Sequence, residues 1–182
     1  MLRQVMTASA VLAALCAAVP ASAQTPAPAM PPAPPAAGGT PEALPFSTPY
    51  GTPITADRAE KVVAAILAEA HKHPAWNFAI TVVDPNGDLV YFYRMPNAQV
   101  GSIHVSQGKA RTAARYRRET RAFYNVFETG HPYIATLDPS IVASPGGYPL
   151  VENGKIIGAV GCSGGTGDQD AAVCGAGAAT MK

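Results

Sequence analysis

The chain has 182 residues with 13 basic and 12 acidic side chains, and a mean hydropathy of +0.09. A chain this close to neutral lacks the positive field that a general nucleic-acid binder needs, so no nucleic acid is expected as a partner. Its three cysteines include no CxxC pair, which leaves no structural zinc site and no c-type haem attachment motif.

The N-terminus reads as a targeting segment. Arg3 gives a positive start, Val5 to Val19 is almost all apolar, and Ala21-Ser22-Ala23 is a small-residue cleavage site. Residues 1–23 are therefore expected to be a signal peptide cleaved after Ala23. Its apolar run is too short for a comfortable membrane span, so release into a periplasm or beyond the cell is expected, without stable membrane insertion. Cys16 follows a leucine, outside a lipoprotein-type context. Residues 24–52 are rich in Pro and Ala and read as an extended, disordered tether that cannot bury enough surface to order itself. The folded part is then residues 53–182.

That part opens with an amphipathic helix. Thr55 is a good N-cap, and Ala59, Val62, Val63, Ile66, Leu67 and Ala70 recur at helical spacing until Pro74. His71 and His73 read as cations favoured at a helix C-terminus rather than as a metal pair. Phe78 to Val83 and Leu89 to Tyr93 are strands about an Asp84-Pro85-Asn86-Gly87 turn. Arg94 stands at the strand exit. A central helix is expected from Ser102, as N-cap, to near Arg118. His104, Gly108, Arg111, Arg115 and Arg118 fall on one stripe of it; Lys109, Thr112, Tyr116 and Thr120 fall on another. His104 and Thr120 should therefore not reach one ligand within a subunit unless the helix breaks at Glu119. His131 to Gly147 reads as loop. Tyr148 to Glu152 and Lys155 to Cys162 form a second hairpin about Asn153-Gly154, followed by a helix from about Asp168. Two hairpins flanked by helices make an antiparallel α+β layer.

Several motifs carry chemistry in principle. Gly161-Cys162-Ser163-Gly164-Gly165 fits GxSxG between strand and helix, but no histidine follows Ser163 as a hydrolase with this elbow requires. The same turn can present amides to an anion, although Asp168 and Asp170 would repel phosphate unless they act only as caps. Cys162 and Cys174 can pair in an oxidising compartment if their Cα atoms lie close enough. The arginine ridge reads three ways: solvated surface, a contact for an acidic partner or neighbouring subunit, or a site for ligand carboxylates. His104 and His131 are candidate iron ligands or acid–base groups.

Taken together, Ile80-Thr81-Val82-Val83-Asp84-Pro85-Asn86-Gly87, Arg94, Asn97-Ala98, Gly108-Lys109-Ala110, Thr112-Ala113-Ala114, Thr120 and Gly146-Gly147-Tyr148-Pro149 form a familiar series. It continues through Gly158 to Gly165, Asp170 and Cys174-Gly175-Ala176-Gly177. The sequence resembles the GlcG/HbpS family, which also includes the C-terminal domain of PduO-type proteins. The resemblance implies a profilin-like α+β fold, a homo-oligomer and haem binding, with an exported HbpS-like member acting as a haem- and redox-responsive accessory protein. By that resemblance Thr120 matches a position proposed near the haem iron, and Lys109 and Arg94 match recurrent polar positions. Where the HbpS-like member has a Glu-x-x-Glu pair, this chain has His104-Val105-Ser106-Gln107, a poorer set for iron ions but a stronger axial ligand for haem.

The leading expectation is thus an exported, oligomeric, non-catalytic haem-binding protein. His104 or Thr120 would approach the iron, His104 being the metal-ligating candidate, and Arg111 or Arg115 would meet the propionates. The alternative is an enzyme or auxiliary protein of small organic-acid catabolism, with an anion pocket around Arg94, Lys109 and Gly147. A third reading is an interaction module whose arginine ridge docks the exported domain of a membrane sensor.

Overall fold

The computed structural model describes residues 46–181; the expected signal peptide and residues 24–45 of the expected tether lie outside the described residues. Helix α1 (Ala56–Ala70) starts where Thr55 turns from an extended backbone, although the Thr55 side chain makes no capping bond. Its buried face is Ala59, Val62, Val63, Ile66 and Ala70, the stripe read from the spacing. After it, Lys72 pairs with Glu69 and His73 stacks on Trp76, so the His-Lys-His segment is occupied as a surface cap.

Strands β1 (Ala79–Val83) and β2 (Leu89–Arg94) pair antiparallel about the expected turn. Asp84 shapes that turn by accepting from the Asn86 and Asp88 amides at 2.8 and 2.9 Å. Strands β3 (Gly147–Glu152) and β4 (Lys155–Ser163) form the second hairpin. Asn153 and Gly154 both have positive φ, 49° and 71°, the left-handed pair that a two-residue Asn-Gly turn requires. The hairpins join through their inner strands, with Ala79 opposite Ser163, to give one antiparallel sheet in the order β2-β1-β4-β3.

The two faces of the sheet are covered differently. Helices α1 and α4 (Gly167–Ala178) close one face over Ile80, Val82, Leu150, Val160 and Cys162. Helix α2 (Ser102–Tyr116) lies on the other, where Ala110, Ala113 and Ala114 meet Val83 and Ala159. Small side chains let α2 sit almost on the strands: a Cβ on Gly161 would come 2.5 Å from the Ala110 amide nitrogen. Cys162 and Cys174 form a disulfide that ties β4 to α4, with Cα atoms 5.6 Å apart.

Three expectations need correction. Ser102 is not the cap of α2; Gly101 holds that position, and the Ser102 hydroxyl is buried without a hydrogen-bond partner. The helix ends at Tyr116 because Arg117 turns left-handed (φ 55°), and a separate helix α3 (Arg121–Glu128) follows, then a 3₁₀ turn at Pro132–Thr136 inside the expected loop. The end of the expected tether is also in contact with the domain. Gly51 donates to Ile156 and Ile156 donates to Pro49, so residues 49–51 take up the β4 edge that the shorter β1 leaves open. Tyr50 then donates to the carbonyls of Ala114 and Arg115 at the end of α2, at 3.0 and 3.1 Å.

Candidate functional site

Several of the residues that carry the family resemblance, Lys109, Thr120, Gly147 and Asp170 among them, converge at the end of the sheet where β4 leads into α4. Lys109 reaches there from α2, its side chain 1 % exposed, and its ammonium donates to Asp170 at 2.5 Å and to the Cys162 carbonyl at 3.2 Å. The other oxygen of Asp170 accepts from the Gly164 and Gly165 amides at 3.0 and 2.9 Å. Burial pulls the Lys109 amine below its ordinary value, against the opposing pull of Asp170, and burial pushes the Asp170 carboxyl up, against Lys109 and the two amides. The pair fastens α2, on one face of the sheet, to the start of α4, which belongs to the other.

Thr120 is part of the same knot. It is fully buried, and its hydroxyl accepts from the Gly147 amide at 2.9 Å while its own amide donates to the Gly147 carbonyl at 3.0 Å. A Cβ on Gly147 would lie 2.6 Å from the Lys109 carbonyl, so only glycine fits between them. Glycine turn and knot together close the GxSxG reading: Ser163 is 6 % exposed, and the two amides that could form an oxyanion hole already hold a carboxylate of the chain itself. Nor do Arg94, Lys109 and Gly147 make an open anion pocket. Lys109 is spent on Asp170, Gly147 is packed against backbone, and Arg94 is exposed at the end of β2.

The outer stripe of α2 is different. His104 is exposed near its start, beside Val105 and close in sequence to Val100, which are 38 % and 70 % exposed. Arg111 and Arg115 lean back over the first hairpin, each Nε donating to a turn carbonyl: Gly87 at 3.3 Å and Asn86 at 3.0 Å. Arg118 leaves the ridge altogether. Its guanidinium is clamped between the rings of Phe46 and Phe123, with centroids 3.9 and 4.2 Å away, and burial lowers its pKa. His104 and Thr120 are thus separated, but by the break after Tyr116 rather than by two stripes of one helix: one lies on the open face and one beneath β3. Among the described residues no cluster of three or more His, Cys, Asp or Glu is placed to hold a metal ion.

Grooves on the described surface include two of note. One, of about 460 Å³, lies between Gly51, Arg58, Glu152 and Lys155. The other, of about 310 Å³, lies between α3 and the start of α4. Neither is lined by His104. Sequence reading missed Asp170 as the partner of Lys109, and it missed Arg121 and Tyr124, which lie on the helix it did not foresee.

Comparison with known proteins fits this geometry. A family model described as "Haem degrading protein HbpS-like" matches residues 54–179. Protein GlcG of Escherichia coli (strain K12) is 40 % identical over 110 residues, covering 60 % of this chain and 81 % of GlcG. The crystal structure of HbpS superposes with a TM-score of 0.66 at 26 % identity, over 77 % of this chain and 98 % of that one. A structure titled as a PduOC:Heme complex superposes at 0.65 and 25 % identity, over 72 % and 96 %. With the model matched across the whole described sheet and its helices, the chain belongs to the HbpS-like family.

Proposed function

We propose that this is an exported haem-binding protein whose haem sits against the open N-terminal half of α2, with His104 as axial ligand and a second subunit closing the site. The observation that carries the reading is the contrast between the two ligand candidates. His104 presents an exposed imidazole among exposed valines, the mixture of a ligand and apolar surface that haem requires. Thr120 would have to release the buried Gly147 amide before its hydroxyl could turn to a metal.

The residues present fit the group on one side only, which is why the second copy is needed. Arg111 lies two turns further along the His104 stripe, about 10 Å by the helical rise, within reach of a propionate. Arg115 is another turn away and helps to hold the hairpin turn. Bound haem would supply the iron and its redox chemistry; the chain supplies the imidazole, the valine surface and the guanidinium. Within one helical turn of His104 stand Val100, Gly101, Gln107 and Gly108, none an acid or base, and this favours binding without turnover. The likeness to a haem-complexed PduO domain supports the same ligand class.

The test is a titration of the mature protein with hemin, followed by absorbance alongside size-exclusion chromatography. A saturable Soret shift at a fixed haem-to-subunit ratio is expected. It should lose its axial-ligand bands in His104→Ala and keep them in Thr120→Ala. A non-saturating curve, or identical spectra for wild type and His104→Ala, would end this assignment.

A further inference from the structure

The groove between α3 and α4 is built from groups that no role so far uses. Arg121 and Tyr124 come from α3, Ser144 and Pro145 from the loop before β3, and Gly167 and Asp168 from the first turn of α4. Pro145 is buried and lies in close contact with Gly167, since a Cβ on Gly167 would come 2.9 Å from the proline ring, so the two close the floor of a groove that Ser144 and Thr166 also line. Tyr124 is 38 % exposed and offers a ring as a wall. At about 310 Å³ the groove suits a small molecule only.

Its one cation is held loosely. Arg121 donates to Asp168 through a single contact of 2.7 Å, and the Asp168 side chain is 84 % exposed. An ion pair so open to water is worth little, and an incoming carboxylate can replace it. The contrast with the larger groove is instructive. There Arg58 engages Glu152 through both of its terminal nitrogens, so its fork is taken. Arg121 has only one branch engaged, and a guanidinium prefers to grip a carboxylate with two. Glu119 also lies within electrostatic reach of Arg121, and an acidic neighbour opposes a dianion such as phosphate more strongly than a single carboxylate.

We propose that this groove binds a small monocarboxylate, which takes the place of Asp168 on Arg121 and lays its hydrocarbon part between Tyr124 and Pro145. Asp168 is then a built-in competitor for the site. The proposal goes beyond haem binding and does not depend on it.

The experiment uses benzoate as the probe, with benzamide and inorganic phosphate as controls, titrated into the mature protein and followed by NMR and calorimetry. Benzoate should bind saturably and perturb the Arg121 Nε resonance, whereas benzamide and phosphate should not. Asp168→Asn should tighten benzoate binding several-fold, a gain that damage to the fold cannot mimic. Arg121→Gln should abolish it while leaving the thermal melt in place. Unchanged affinity in Asp168→Asn, equal binding by Arg121→Gln, or equal binding of benzamide would each overturn the proposal.

Discussion

At the scale of single residues, the decisive contact is the buried pair of Lys109 and Asp170. Burying two charges costs more than their attraction returns unless every lone pair is satisfied, and here Cys162, Gly164 and Gly165 complete the set. Removing one member leaves the other uncompensated. Lys109→Met is expected to lose about 3–5 kcal/mol in urea unfolding, and adding Asp170→Leu to recover only part of it, because the Gly164 and Gly165 amides then lose their acceptor. The single variant also has a signed pH dependence. With its lysine gone, the Asp170 carboxyl rises further above its ordinary 3.8, so the folded state keeps a proton that the unfolded chain has released. Stability of Lys109→Met should therefore fall as pH rises from about 4 towards neutrality and return on acidification, as urea melts across that range would record. Thr120→Val leaves the buried Gly147 amide without its acceptor and should cost about 1–3 kcal/mol, with the haem spectrum unchanged. Lys109 was noted in the sequence as a recurrent polar position of the family it resembles. Its partner lies 61 residues away, and no local pattern links the two.

At the scale of elements, the hairpins were legible because Asn-Gly has a physical meaning: two left-handed residues in succession. Gly154→Ala, at φ 71°, is expected to cost about 1 kcal/mol or more in a thermal or urea melt, with the sheet retained. Helix α1 was legible from its periodicity, and α4 from its glycine turn, its Thr166–Gln169 capping box adding two reciprocal bonds at the N-terminus. The break after α2 was not legible. Arg117 adopts a left-handed backbone with no glycine or proline to announce it, so the helix was read to near Arg118 with Thr120 on one of its stripes, and α3 was given no element. The contact of residues 46–51 was hidden by composition. Prolines and alanines suggested a free tether, whereas Phe46 and Tyr50 hold it by their rings on Arg118 and Arg117. His104 was named as a candidate from its residue type and from its place in the series that resembles the family, but the α3–α4 groove needed three dimensions, since α3 itself was not foreseen.

At the scale of the whole molecule, the disulfide and the central pairing of β1 with β4 hold the two halves of the domain together. Cys162 and Cys174 close a short loop, for which the chain-entropy argument gives about 3 kcal/mol. Reduction should lower the melting temperature by several degrees without abolishing the fold, because the surrounding cluster from Val62 to Val173 stays apolar and buried.

The order of the strands also governs when the fold can form. β1 lies at the middle of the sheet, yet the neighbour that makes it a middle strand, β4, follows it only after α2, α3 and β3 have been made. A lone β1–β2 hairpin is marginal in water, and long-range pairing closes slowly. A growing chain therefore has no nucleus to settle on until its last strand arrives, and it remains unfolded, and hence threadable, for most of its synthesis. A fragment ending at Glu152 should give no cooperative melt, while the full chain folds in one late step.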